Sequence, residues 1–458
     1  MDRFSWEPRT QWDNSPSNSH RGINQDPWYD NYEVLSNVND GLNAIFNGLE
    51  IGSEGSTDSE RAITFARFCQ GLSQGYLGLF FDKGFIVTEE TDFYSARPAF
   101  VPYNQLMNTG LEHLEECIRL CSEYDFQLPP TWINGYSFTN DELAKLCHSF
   151  IARYMVHKAR SNAEREAVDW ELVLSHIDQG ITEDFAPEGD DNMWWHPVQY
   201  SSNWNGWYVV DNKLHGPSDT SDNYKNWLTT SLENRTHFIN YSTDRRVTGD
   251  ISGTTDGKYF YYNERQFLYA SRGTYVWSRY RFQRYDYQYP VAYGPMPHLT
   301  KCEMDMLRAE AYLRGFGGGT KADIAELINM TRVQIGEMEP LDGTESELEL
   351  WKWMCYEKRM ETMMTGISYY DYRGWADLTI DGEYVVQVPE GTIIHWPVPG
   401  RELEILMEEN YTFGGVGQPG ATYSVKSSSG VIDAEYIIAV RERLNRENLS
   451  KQTIPRKK

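Results

Sequence analysis

Glu357 and Glu361 stand four residues apart in the string Tyr356-Glu-Lys-Arg-Met-Glu361. Paired carboxylates are the groups that glycoside hydrolysis uses. On a helix, however, this spacing puts both acids on one face, whereas hydrolysis needs them to flank the scissile bond. Lys358 and Arg359 stand beside them. The pattern therefore predicts an internal ion-pair network tying this helix to Asp371, Arg373 and Arg332. The histidines show neither triad nor metal spacing, and no Gly-rich phosphate loop is present. The acidic runs Glu188-Gly-Asp-Asp-Asn192 and Asp250 to Asp256 lack the alternating oxygen ligands of an EF-hand and read as solvated loop. No catalytic residue, metal or cofactor is assigned.

Binding chemistry is better represented. Trp194-Trp195, Tyr200, Trp204, Trp207-Tyr208 and Trp227 crowd into one segment, interleaved with Asn192, Asn203, Asn205 and Asp211. Aromatic faces offer flat apolar area to the C–H faces of a pyranose ring, and amides satisfy its hydroxyls. Candidate ligand residues are Trp194, Trp195, Trp204, Tyr208, Trp227, Asn203 and Asn205. At least half of these rings are expected to anchor loops to the scaffold instead, with Trp207 foremost. A second aromatic series, from Tyr259-Phe-Tyr-Tyr262 to Tyr289, is interspersed with Arg272, Arg279, Arg281 and Arg284. It reads as extended segments packed onto the body, with guanidinium planes over rings.

The elements that must position these groups are helices. Met304, Leu307, Ala311 and Tyr312 recur at helical steps, and Phe316-Gly-Gly-Gly319 stops that helix. Ile324, Leu327, Ile328, Thr331 and Ile335 write a second stripe, and a third helix covers residues 345–364. Such hairpins cannot bury both stripes alone and need stacked neighbours. Earlier helices are expected at 32–49, 60–79, 104–124, 139–159 and 170–181, with Thr139-x-x-Glu142 as a capping box. Residues 1–30 read as an irregular arm, and residues 182–300 as an insertion of long loops, short helices and a few strands. Past 375 the chain is irregular again to its end, apart from short helices at 402–407 and 431–445.

Composition narrows the function class. The 458 residues carry a net charge of −25, which argues against nucleic acid as a partner. No run of about 18 apolar residues exists to span a membrane as a helix. Fifteen Trp and 31 Tyr exceed ordinary core use, and exposed binding surface or an aromatic-plugged core would each absorb them. The six cysteines form no CxxC pair and fall mostly on apolar stripes, so buried free thiols are expected.

Several ordered strings also resemble the SusD/RagB family of outer-membrane nutrient-binding proteins. They are Leu307-Arg-Ala-Glu-Ala-Tyr-Leu-Arg314, then Ile328-Asn329 with Thr331-Arg332, and Tyr356 to Glu361 followed by Gly366, Asp371, Arg373 and Trp375. The last is Ile394-His-Trp-Pro-Val-Pro-Gly-Arg-Glu402. The resemblance implies one mainly α, tetratricopeptide-like domain over residues 1–458, with helix pairs at 31–181 and 301–375 flanking the insertion and an irregular region at 376–458. It implies a non-catalytic, surface-exposed protein that binds an oligosaccharide and passes it to a TonB-dependent β-barrel transporter at the outer membrane. A peptide is the alternative ligand, and a glycosidase on a helical scaffold the rival class. The family's ligand loop after the second helix corresponds here to Phe93, Tyr94 and Arg97, which adds Tyr94 to the candidates. Family members carry a lipoprotein signal and an anchoring Cys. Met1-Asp-Arg-Phe-Ser-Trp6 shows neither, which leaves a trimmed start or a different location as the two readings.

Overall fold

A computed structural model describes residues 9–92, 98–204, 208–264 and 277–418. The N-terminal half is a stack of helices: α1 (Gly22–Phe46), α2 (Asp58–Phe80), α3 (Tyr103–Glu123), α4 (Asn140–His157), α5 (Asn162–Glu166) and α6 (Trp170–Asp178). α4 starts where local chemistry dictates, because the Thr139 hydroxyl accepts from the Glu142 N–H while the Glu142 carboxylate accepts from the Thr139 N–H. α2 and α3 approach backbone to backbone. A Cβ on Gly110 would lie 2.7 Å from the Gly75 nitrogen, and one on Gly78 2.8 Å from the Met107 nitrogen, so glycine is required at this crossing.

The arm expected before residue 31 is a correction. α1 is helical from Gly22, with Pro27 inside it. Pro27 lacks the N–H that would reach the Ile23 carbonyl, so the helix forgoes one backbone bond there. Trp28 beside it is buried against Tyr32, Phe81 and Phe85, and this docking is a tertiary effect that local signals could not reveal.

Among its described residues the insertion holds the short α-helices α7 (Pro197–Ser202), α8 (Asn212–His215) and α9 (Asn223–Thr229). Strands appear only as antiparallel two-stranded pieces among the described residues. These are β1 (Lys83–Gly84) with β2 (Val101–Pro102), β3 (Glu188–Asp190) with β6 (Tyr293–Pro295), β4 (Phe260–Tyr262) with β5 (Tyr280–Phe282), and β7 (Thr379–Ile380) with β8 (Glu383–Tyr384). The scaffold resumes with α10 (Lys301–Leu313), α11 (Lys321–Arg332), α12 (Glu347–Glu361) and α13 (Ser368–Trp375), and α14 (Gly400–Leu406) follows. α10 ends at Leu313 with Gly315 at φ 85°, just ahead of the expected stop at Phe316-Gly-Gly-Gly319. The architecture is mainly α. The helix expected at 431–445 lies outside the described residues.

One core joins the two helical halves, with Leu79, Leu111, Leu146, Trp170 and Leu307 all fully enclosed. A second cluster packs Tyr259, Phe260, Tyr280 and Phe282 of the insertion on Tyr356 and Met360 of α12. Much of the second aromatic series is therefore packing, as expected, although its last members are not. The cysteines are unpaired thiols. Helix ends inside the body are satisfied by buried arginines: Arg160 donates to the carbonyls of Leu79 (2.7 Å) and Gly78 (2.6 Å) in α2, and Arg373 to that of His157 (2.7 Å) in α4 and also to that of Ile394 (2.8 Å) in the segment before α14.

Burial also sets the response to acid. It pulls His215 and His298 down to about 3 and His113 down to about 4. Burial alone would raise Glu310, but Arg165 and Arg314 outweigh it and bring the carboxyl down to about 2. Each of these groups binds fewer protons folded than unfolded, so stability rises with pH across its window. Thermal unfolding should show the melting temperature falling from about pH 6.5 downward, where unfolded histidine begins to protonate, and more steeply below about pH 4.5 as unfolded glutamate does. A melting temperature unchanged between pH 7 and pH 4 would contradict this assignment.

Candidate functional site

The paired acids come first. Glu357 and Glu361 are buried, and both accept hydrogen bonds from one guanidinium, that of Arg246. Arg246 also pairs with Asp244 at 2.8 Å. The network expected around this helix exists, but its hub belongs to the insertion rather than to Arg332 or Arg373. Arg332 stacks over the Trp353 ring at 4.1 Å, and Arg373 serves backbone carbonyls. Asp371 is held instead by Lys358, Arg165 and His157. Carboxylates bonded to an internal guanidinium cannot reach a substrate, so this pair is structural.

The acidic runs are also occupied locally. Asp190 accepts from the N–H groups of Asn192 and Trp194, and Asp250 from that of Ser252. Among the described residues no cluster of three or more His, Cys, Asp or Glu side chains has the arrangement of a metal site.

The aromatic segment divides. α7 is short, opened by Pro197 at its first turn and by the His196 ring, which accepts from the Gln199 N–H. Its inner side is pinned by buried Gln199, which donates to the Pro297 carbonyl at 2.9 Å and accepts from Gln288 at 3.2 Å. Its other side carries Tyr200 at the centre of a ring cluster. Trp195 meets Tyr200 edge-on at 5.9 Å, Trp204 does so at 6.3 Å, and Tyr289 stacks on it at 6.3 Å and 27°. The Tyr200 hydroxyl donates to the Pro290 carbonyl, which fixes the ring. Trp195, Trp204 and Tyr289 are 48%, 44% and 55% exposed, so the cluster forms an open aromatic platform held from beneath.

The other candidates are placed as follows. Trp194 is half-buried against the N-terminal helix core and anchors the loop. Trp227 is 4% exposed, with Arg235 over its ring at 4.5 Å and Tyr224 stacked beside it, so its faces are covered. Asn203 is buried next to Trp204, and its amide nitrogen meets no protein acceptor. Tyr208 is exposed but makes no ring contact with the platform among the described residues. Asn205, Trp207, Tyr94, Phe93 and Arg97 lie outside the described residues. Tyr289 is the platform ring that sequence reasoning assigned to packing. The Pro290 and Gly294 beside it mark a surface turn, and that was the available signal.

Helix pairs carrying a loop-rich, aromatic insertion define the class: this is the SusD-like fold. The chain is similar to surface glycan-binding protein A from Bacteroides uniformis, with 14% identity, 83% of each chain covered and a TM-score of 0.51. It is equally similar to a SusD homologue from Bacteroides fragilis, at 16% identity, covering 82% of this chain and 83% of that one with a TM-score of 0.52. A SusD superfamily protein from Bacteroides thetaiotaomicron matches at 14% identity, 85% of each chain and a TM-score of 0.52. No protein-family model and no curated protein matches the sequence. Among the described residues no helix is long and apolar enough to cross a membrane.

Proposed function

We propose that this chain is a non-catalytic, surface-exposed glycan-binding protein that holds an oligosaccharide for uptake through a TonB-dependent transporter of the outer membrane. The observation that carries the reading is the platform of Trp195, Tyr200, Trp204 and Tyr289, exposed yet fixed from below by Gln199 and the Pro290 carbonyl. Rings held rigid lose little conformational freedom when a ligand stacks on them, and stacking needs no particular linkage. The enclosure of Glu357 and Glu361 by Arg246 supports binding without bond cleavage. One of the similar structures is described as glycan-binding, which agrees with this ligand class. Trp194, Tyr208, Asn203, Asn205 and Tyr94 are the further ligand contacts proposed from the sequence, whereas Trp227, covered by Arg235 and Tyr224, is proposed as a loop anchor.

Isothermal titration of the full chain against panels of neutral oligosaccharides and short peptides tests the proposal. We expect saturable heat from at least one glycan. Trp195→Ala and Trp204→Ala should each weaken it by about tenfold or more, since truncating a central ring removes a hot-spot contact. Trp227→Phe should lower stability without changing affinity. Heat from peptides alone would move the ligand class to peptide. Turnover of any oligosaccharide by the pure protein would defeat the non-catalytic reading altogether.

A further inference from the structure

A second recess lies away from the platform, where α8 and α9 of the insertion face α12, α13 and the β7–β8 hairpin. It encloses about 720 Å³, the size range of sites that hold small ligands. Trp353, Tyr372 and Tyr384 give it ring surfaces, and Arg359, Lys213 and Lys225 bring cationic groups to its wall.

The charges do not balance. Glu383 is matched by Lys352 at 3.0 Å. Glu349 closes the capping box of α12, accepting from the Ser346 N–H and hydroxyl. Arg359 has no carboxylate partner among the described residues. Its guanidinium donates to the Tyr372 hydroxyl and, at 3.0 Å, to the Leu214 carbonyl, while its buried Nε meets no acceptor. The ammonium of Lys225, at the exposed rim, likewise forms no ion pair among the described residues. In a chain with 67 acidic and only 42 basic residues, Arg359 and Lys225 at one ringed cavity call for a ligand that brings the negative charge. A guanidinium matches a carboxylate geometrically, and charge-assisted hydrogen bonds are the strong ones.

We propose that this cavity binds a small organic carboxylate with a ring or flat apolar body, the rings taking the body and Arg359 with Lys225 the carboxylate. An acidic sugar and the C-terminal end of a short peptide share that chemistry. The site is separate from the platform and stands or falls independently of it.

Titration calorimetry of the full chain at low salt, with digalacturonate, glycyl-phenylalanine and neutral galactobiose as probes, tests the proposal. One or both carboxylates should give saturable heat and galactobiose none at this site. Heat from digalacturonate alone assigns an acidic sugar, and heat from the dipeptide alone a peptide terminus. Arg359→Gln should weaken the carboxylate by about tenfold and Lys225→Gln by about threefold. Trp195→Ala together with Trp204→Ala should leave this signal unchanged, which separates the cavity from the platform. Absence of saturable heat from both carboxylates, or wild-type affinity in both cation variants, would overturn the assignment. If circular dichroism finds Arg359→Gln unfolded, the surface variant Lys225→Gln decides alone, and unchanged affinity there counts against it.

Discussion

Arg246→Met should cost about 3–5 kcal/mol of stability, the range for breaking a buried ion pair by removing one partner. Arg246 is fully enclosed and bonds Asp244 at 2.8 Å, Glu357 at 2.6 and 2.8 Å and Glu361 at 2.9 Å. Tyr356 and Thr331 donate to Asp244 and Glu357, but hydroxyls bring no formal charge. Glu361 keeps Arg284 at 3.2 Å, whereas Asp244 and Glu357 would be left buried without a cation. Because Asp244 and Arg246 belong to the insertion and the two glutamates to α12, this cluster clamps the insertion to the scaffold. Denaturant unfolding of Arg246→Met should therefore show a large fall in midpoint, with faster proteolysis between residues 208 and 264. Lys258→Ala, which breaks the exposed pair with Glu337, is the control and should change stability by about 1 kcal/mol or less. Equal midpoints for the two variants would refute the clamp.

Asp371→Leu should have an effect of similar size for a different reason. One carboxylate oxygen accepts from Lys358 at 2.7 Å, from Arg165 at 2.8 Å and from His157 at 2.8 Å. Burial acts to raise the Asp371 carboxyl, but Lys358, His157 and Arg165 prevail and hold it far below the usual carboxylate range. Arg165 retains Glu310 when Asp371 is removed, at 2.7 Å. Lys358, fully buried on α12, has Asp371 as its one carboxylate partner among the described residues. The uncompensated ammonium must then stay charged in a poor solvent or give up its proton, at a cost of about 3–5 kcal/mol. Adding Lys358→Met to Asp371→Leu should recover much of the loss, since apolar groups can replace a buried pair taken as a set. A double variant no more stable than Asp371→Leu would show that lost packing, and not the orphaned charge, was responsible.

Much of the scaffold was legible because its signals are local. The Thr139 to Glu142 box, the apolar stripe of α10 and the glycines after it act within a few residues of where they are read. The insertion was legible as irregular for the same reason, since Gly, Asn, Asp and Pro interrupt helical period wherever they cluster. The candidate site was legible as a segment but not as a surface. Trp204 and Trp227 stand in similar Asn-containing stretches, yet one is open and the other is roofed by Arg235 and flanked by Phe238.

By itself, the sequence determined that the body would be mainly helical, roughly where most scaffold helices lie, and that aromatic rings would crowd into the insertion. The tertiary structure alone decided that Tyr289 joins Tyr200 across the insertion, that Glu357 finds Arg246 rather than Arg332, and that α8, α9 and α12 with the β7–β8 hairpin enclose a cationic cavity. Helical period and capping depend on neighbours within a turn or two. Ring exposure and the choice of counterion depend on groups about a hundred residues away, whose approach is set by how the whole chain packs.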